Sequence, residues 1–573
     1  MKDYMKEYER WLTSPHLSDA ERAEVAAVTS EEERELAFGR TLTFGTAGLR
    51  SSMAMGPGRM NVYTVAWATR GMADLVLSKG GAERGVVIAY DCRHNSALFS
   101  RVAAEVLAAA GIRVYLFDAL RPTPLLSFAI RRLSCIAGIN ITASHNPREY
   151  NGYKAYWEDG AQLSPEDASV VSAAMARVDV LGGAPRLDLD TAIKEGLVTV
   201  LGEEFDEEYL KALDKTVIDR ALLLRSSESL SVVYTPLHGA GYRLVPEALR
   251  RAGLRHIATV PEQMELSGDF PTVKKPNPEY PEVFALGTAI AERERSDLVI
   301  ATDPDSDRVG VMTRDKEGFV PISGNRMGAL LLDYIIGARQ RTGTMPKDPF
   351  TIKSIVSTDL VTRIADTHGI RLYDVLTGFK YIGEVIKARE AVGEEGSFIF
   401  AFEESYGYLT GTYARDKDAV GTSLMIAEMT AYYEERGMTL ADASRELDEK
   451  YGVYREKTTE IYMEGLDGLK KQERLMSALR EAPPAELGGY RIVSVGDFSK
   501  GYFTNVDTGE RTPIEQDKSN VLYFITEAGD KVVIRPSGTE PKIKLYFLVH
   551  GESEEEAEGK IAAFAGATAA LTD

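Results

Sequence analysis

Short apolar runs alternate with longer stretches whose apolar positions recur at three- and four-residue spacing, a pattern that predicts strands and helices in turn. VVIAYD, from residue 86, reads as a buried strand, FSRVAAEVLAAAG as a helix ending at Gly111, and RVYLFD as the next strand. The same order returns in SVVYT, VPEALRRAG and HIATV, and again in DLVIATD, the helical GNRMGALLLDYIIGARQ and FTIKSIVST. Such units build α/β domains with largely parallel sheets and place their binding loops at the carboxyl ends of strands. From about residue 452 the pattern changes. RIVSVGDF, NVLYFIT, KVVIRPS and KIKLYFLV read as short strands among charged helices, which predicts a smaller α+β domain. Residues before about 40 are polar and rich in Glu, and read as surface helices leading into FGTAGLR at 44–50.

Charged or loop-like segments near 205, 325 and 450 divide the chain into four expected domains: 1–205, 206–325, 326–450 and 451–573. With 44% apolar and 27% charged residues, the composition is that of a globular protein and excludes extended disorder. The formal charge of −20 disfavours a broad nucleic-acid or acidic-membrane footprint. MKDYMKEYERWL carries no apolar core of a signal peptide, and apolar runs elsewhere are interrupted, as by Asp333 in GALLLDYIIGA, so a cytoplasmic protein is expected. Cys92 and Cys135 are too few for a disulfide framework or a zinc cage and read as reduced, packed thiols.

Chemistry concentrates in a few loops. In ATDPDSDRVG, Asp303, Asp305 and Asp307 alternate just after a predicted strand and can turn three carboxylates toward one hard cation, Mg²⁺ being favoured because it needs few protein oxygens. An EF-hand starting at Asp303 fails, because Arg308 and Arg314 occupy the positions of its glycine and its last glutamate. RPSGTEPKIK has the composition of a phosphate cradle: Arg535 offers a planar donor fork, Ser537 and Thr539 hydroxyls, and Gly538 close backbone approach. Alone, that loop reads more readily as a plain turn than as a functional site. TASHNPREYNGYK, residues 142–154, can be a polar turn. It also supplies Ser144, which as a phosphoserine becomes a stored phosphoryl donor, with His145 and Lys154 for hydrogen bonding or proton transfer and Arg50 of FGTAGLR for charge stabilisation. In FAFEESYGY, Glu403 and Ser405 suit sugar hydroxyls. In TGFKYIG, Gly378 and Lys380 suit a sugar or phosphate, although both segments read equally well as helix starts. His238 of TPLHGAG reads as a packing residue. With one motif per expected domain, a cleft where four domains converge is expected.

Taken in order, TASHNP, DPDSDR, EES and RPSGTEP resemble the phosphoserine, metal, sugar and phosphate motifs of the α-D-phosphohexomutase superfamily, over nearly the whole chain. FGTAGLR, NGYKAYW, TGFKYIG and FAFEESYGY look closest to its phosphoglucomutase/phosphopentomutase branch, with Phe402 a departure where many members carry glycine. The resemblance implies three similar α/β domains and a mobile fourth of TATA-binding-protein-like fold. It implies an intramolecular phosphotransferase in which phosphorylated Ser144, beside Mg²⁺ on Asp303, Asp305 and Asp307, converts an α-hexose 1-phosphate to the 6-phosphate through an enclosed 1,6-bisphosphate, which also serves as activator. Arg308 would stand beside the metal, Glu403 and Ser405 would grip the sugar, and Arg535, Ser537, Gly538 and Thr539 would hold the distal phosphate. Arg50, His145 and Lys154 share the acid–base role, none singled out. Glucose 1-phosphate is the leading substrate, with ribose, deoxyribose or mannose 1-phosphate as alternatives. A bisphosphate synthase or a silent sugar-phosphate binder stands further off. The expected partners are small sugar phosphates, with no nucleic acid or membrane, for a monomer or small homo-oligomer.

Overall fold

The computed structural model describes residues 2–46, 48–463, 468–537 and 542–570. They form two compact units. The first comprises the chain up to Ile322 with Gly383–Phe398 and Tyr406–Thr439. The second comprises Ser323–Ile382, Ile399–Ser405 and the chain from Leu440 onward.

The first unit holds two α/β sheets. One runs in the spatial order Leu49–Ser52, Tyr150–Trp157, Ala137–Ile141, Val86–Tyr90, Val114–Phe117, Val198–Leu201. Its last four strands are parallel, and Tyr150–Trp157 is antiparallel to both neighbours. The strand Val86–Tyr90 and the helix Ser96–Ala109 appear as the apolar pattern predicts, because both are buried over nearly their whole length. The second sheet runs Gly318–Ile322, Val309–Asp315, Leu298–Thr302, Ser231–Thr235, His256–Thr259, with its last three strands parallel. These mixed, mostly parallel sheets place Thr142–Ser144 and Asp303–Asp307 directly after the strands Ala137–Ile141 and Leu298–Thr302.

The helices Asp3–Leu12, Asp19–Ala27 and Glu31–Phe38 differ from simple surface helices. Tyr4, Tyr8 and Trp11 share one helix face and, with Phe38, Met55 and Leu181, form a separate buried cluster. The Trp11 and Tyr8 rings each meet the edge or face of Phe38.

In the second unit, Arg371–Val375 pairs in parallel with Phe350–Ser354, and Phe398–Glu403 follows next in that sheet. The last domain is an antiparallel sheet in the order Val453–Tyr462, Lys542–Gly551, Lys531–Pro536, Leu522–Thr526, Tyr490–Asp497, Tyr502–Asn505, Arg511–Pro513. Its core is Phe524, Phe547 and Ile543 under Phe564 and Met476, which come from the helices Glu554–Ala570 and Gly468–Glu481. The opposite face packs Tyr523, Val533 and Tyr546 against Ile355 and Val356. Phe402 is fully buried here, stacked on Phe400 with centroids 5.8 Å apart and lying against Gly328. Among the described residues, no helix is long and apolar enough to cross a membrane.

Candidate active site

Ser144 sits in the first turn after Ala137–Ile141 with φ of 52°, a left-handed conformation uncommon for a residue with a side chain. The turn is held from both sides. Thr142 Oγ1 accepts the Ser144 N–H at 2.8 Å and donates to Asp91 Oδ2 at 2.6 Å. The Arg93 guanidinium donates to the carbonyls of Ser144 at 2.6 Å, Pro147 at 2.8 Å and Tyr150 at 3.0 Å, and also to that of Asn146. So fixed, the Ser144 hydroxyl donates to Asp303 Oδ2 at 2.8 Å and lies 3.3 Å from His145 Nδ1. Arg50 donates to Asn146 Oδ1 at 2.9 Å, on the same loop.

The acidic turn is equally constrained. Asp303 Oδ1 accepts the N–H groups of Asp307 at 3.1 Å and Arg308 at 3.0 Å, and Ser306 takes φ of 52° to close the turn. Pro304 is covered by the TPLHGAG loop, where a Cβ on Gly239 would stand 2.4 Å from Pro304 Cα, so only glycine fits. His238 is buried and bonded through Nδ1 to the Glu265 carbonyl at 2.7 Å and through Nε2 to Thr272 Oγ1 at 2.8 Å, the pattern of a packing residue.

The carboxylates of Asp303, Asp305 and Asp307 are buried and offer one oxygen each within 4.8 Å of one another. Asp305 Oδ1 and Asp307 Oδ1 have no hydrogen-bond partner among the described residues. Buried carboxylate oxygens left without donors fit a hard cation, and the all-oxygen donor set matches that chemistry. Cations of the protein flank the triad: Lys154 Nζ lies 2.7 Å from Asp305 Oδ2 and 3.0 Å from Asp307 Oδ2, and Lys417 Nζ lies 3.2 Å from the latter. Burial, then the charges of Asp305 and Asp307, push the Asp303 carboxyl well above its ordinary range. Burial would raise Asp307 too, but Lys154, Lys417 and Arg308 outweigh it and hold that carboxyl far below. Burial would lower the Lys154 ammonium, yet Asp305 and Asp307 reverse the sign and raise it. His145 is pushed well below the usual imidazole range by burial and by the neighbouring Arg308 and Arg50, so it is neutral near pH 7.

The second unit carries the remaining candidates. Gly378, with φ of 125°, immediately precedes the helix Phe379–Glu390 and donates its N–H to Glu403 Oε1 at 2.6 Å. Glu403 ends its strand, and Ser405 follows, half-buried. Lys380 Nζ lies 4.4 Å from the Tyr381 ring centroid. Arg535 is the penultimate residue of the strand Lys531–Pro536. Burial, then the charge of Glu404, raises the Tyr546 phenol while Arg535 opposes them, so these groups share one neighbourhood. Ser537 N–H donates to the Lys542 carbonyl at 2.8 Å. Gly538 and Thr539 lie outside the described residues.

Arg93, Thr123 and Lys417 were not anticipated from sequence. Lys417 sits in ARDKD, anchored by Asp418, which accepts from Tyr209 at 2.7 Å and from Tyr413 at 2.5 Å. The lone signal was a lysine between two aspartates ahead of a helix, which local pattern reads as solvated charge.

A strained serine on a buried acidic triad, ringed by ammonium and guanidinium groups, defines an enzyme of the phosphoryl-transfer class. Family models match in order along the chain: phosphoglucomutase/phosphomannomutase domain I at residues 41–180, domain II at 207–318, domain III at 323–451 and the C-terminal domain at 504–566. The phosphoglucomutase of Staphylococcus epidermidis is 38% identical over 521 residues, 90% of this chain and 92% of that one. That of Staphylococcus haemolyticus is 37% identical over 528 residues, 91% and 93% of the two chains. The open form of Paramecium parafusin, a phosphoglucomutase, superposes with a TM-score of 0.67 at 17% identity over 93% of this chain and 96% of its own. A Burkholderia thailandensis phosphoglucomutase/phosphomannomutase family protein gives 0.63 at 19%, over 92% and 97%. The chain belongs to the phosphoglucomutase/phosphomannomutase family, a family of mutases, which are intramolecular phosphotransferases of the isomerase class.

Proposed function

We propose that the protein interconverts α-D-glucose 1-phosphate and glucose 6-phosphate through a phosphoserine at Ser144 and an enclosed glucose 1,6-bisphosphate. The observation that carries this reading is the Ser144 hydroxyl bonded at 2.8 Å to Asp303, next to two carboxylate oxygens without donors among the described residues. The choice of sugar is supported by relatives named phosphoglucomutase at 36–38% identity. Phosphorylated Ser144 gives its phosphoryl group to the sugar 6-hydroxyl. The P–Oγ bond breaks, the P–O6 bond forms, the O6 proton leaves to a base and Ser144 Oγ takes one up. His145, whose Nδ1 lies 3.3 Å from Ser144 Oγ, is placed to exchange that proton, while Lys154 and Arg50 remain cationic and stabilise charge on the transferring group. After the bisphosphate turns end for end, the reverse transfer rebuilds the phosphoserine and releases the 6-phosphate.

Asp303, Asp305, Asp307 and the phosphorylated Ser144 would hold Mg²⁺, which supplies Lewis-acid polarisation of the phosphoryl oxygens when bound. Glu403 and Ser405 grip sugar hydroxyls in either orientation, with Gly378 and Lys380 beside them. Arg535, Ser537, Gly538 and Thr539 take the distal phosphate, Arg308 lies next to the triad, and a trace of sugar 1,6-bisphosphate primes the enzyme. This division of labour assigns roles to four domains, 1–205, 206–325, 326–450 and 451–573. The test is kcat/KM for α-glucose, α-mannose and α-ribose 1-phosphates, each with Mg²⁺ and its matching bisphosphate. A clear preference for glucose supports the reading, and a preference for mannose or ribose replaces the sugar while keeping the chemistry.

A further inference from the structure

The segment LRPTP carries no chemical motif, yet it touches the acidic triad. Thr123, the first residue of the helix Thr123–Arg132, donates its backbone N–H to the Asp305 carbonyl at 2.8 Å. Its hydroxyl donates to Asp305 Oδ2 at 2.8 Å and accepts from Asn140 Nδ2 at 2.7 Å. Thr123, Asn140 and Asp305 are all fully buried.

The direction of this relay is fixed by chemistry. The Thr123 hydroxyl has a single proton, which it gives to Asp305 Oδ2, so it can only accept from Asn140, which turns its amide nitrogen toward the threonine oxygen. That orientation leaves Asn140 Oδ1 buried without a hydrogen-bond partner among the described residues. Asn140 also stands directly across from Lys154 in the antiparallel register, and Lys154 Nζ donates to the same Asp305 Oδ2 at 2.7 Å. The two cross-strand neighbours therefore act on one oxygen, Asn140 through Thr123 and Lys154 directly. The other oxygen, Oδ1, has no hydrogen-bond donor among the described residues.

We propose that Thr123 and Asn140 are positioning residues for the cation site. By holding Oδ2 of Asp305, they fix the carboxylate plane with Oδ1 presented to the ion, and they tie the triad to the sheet that carries Ser144. The inference rests on reading the triad as a metal site, and the test separates the two.

Mn²⁺ is titrated into the full-length wild type and variants, with free Mn²⁺ followed by electron paramagnetic resonance and the melting temperature of the metal-free proteins recorded alongside. Thr123→Val keeps shape and backbone but removes the donor. It is expected to weaken Mn²⁺ binding about 10- to 100-fold, as loss of an outer-shell partner does. Thr123→Ser, which restores the proton, is expected within about threefold of wild type, on the same principle. Wild-type affinity in folded Thr123→Val overturns the inference, because a merely structural role moves the melting temperature and leaves the affinity alone. If Thr123→Val does not fold, Asn140→Ala carries the test: a loss of at least about threefold supports the relay, and unchanged affinity overturns it. Absence of Mn²⁺ binding by the wild type would overturn the metal reading itself.

Discussion

Arg93 Nη2 donates to the carbonyl of Ser144 at 2.6 Å, and the same guanidinium reaches the carbonyls of Asn146, Pro147 and Tyr150. One planar fork thus sets the backbone of the serine loop, while Asp91 balances its buried charge at 3.3 Å. Arg93→Lys keeps the charge but cannot span these acceptors. We expect kcat to fall about 10- to 100-fold, the scale on which small misplacement of a reacting group acts, with KM nearly unchanged. Steady-state kinetics check it, and a rise in KM at wild-type kcat would assign Arg93 to ground-state binding instead.

Phe402, the position that departs from the family pattern, is accommodated by Gly328. A Cβ there would meet the Phe402 ring at 2.4 Å. Gly328→Ala is therefore expected to destabilise the chain by about 1–3 kcal/mol through overpacking, despite the gain in helix propensity. Denaturant unfolding measures it, and an unchanged or raised stability would mean that the ring yields at no cost.

In the absence of metal, Asp303 is a liability. Burial and two neighbouring carboxylates raise its pKa, so the folded state binds a proton more tightly than the unfolded chain. The resulting cost is absent below the ordinary carboxyl value near ~4 and grows as pH rises toward the folded value. Asp303→Asn removes it while keeping an acceptor for the N–H groups of Asp307 and Arg308. The metal-free variant should melt at or above the wild type at pH 7, the gap closing toward pH 4, while Mn²⁺ binding falls. Melting curves across that range decide it, and a variant markedly less stable at pH 7 would show that the charge is already compensated.

Both thiols should react slowly in the native protein, Cys135 because it is fully buried and Cys92, which is half-buried, because its thiolate is disfavoured. Burial pushes the Cys135 thiol up to about 12, and burial with the Asp91 charge pushes Cys92 well above its ordinary range. A disulfide-exchange reagent at pH 8 should label both slowly until the chain is unfolded, and then rapidly. Rapid labelling of a native thiol would contradict the packing around it.

The strand that carries the aspartates was legible because a buried parallel strand is a continuous apolar run, and its carboxyl end is where such folds bind ligands, whereas Asn140 interrupts the run of Ala137–Ile141 ahead of Ser144. Val453–Tyr462 was not, because its ten residues VYREKTTEIY are charged and partly exposed, and only pairing with Lys542–Gly551 makes them a strand. The aromatic face of Asp3–Leu12 was hidden by its glutamates, although Tyr4, Tyr8 and Trp11 lie at helical spacing. Thr123 and Arg93 acquire their roles from contacts with residues 182 and 51 positions away, which no local pattern encodes.

The most direct test of the account is the fate of one phosphoryl group. The protein is incubated with Mg²⁺ and glucose 1,6-bisphosphate whose phosphates carry heavy oxygen, and freed of excess; one portion is quenched and mapped by peptide mass, and another is first chased with unlabelled glucose 1-phosphate. The account predicts a single labelled phosphate on Ser144 that passes to glucose 6-phosphate in the chase while ordinary phosphate from the substrate replaces it on the serine, and no turnover by Ser144→Ala. Full mutase activity with Ser144 unmodified, or retained by Ser144→Ala, would contradict it.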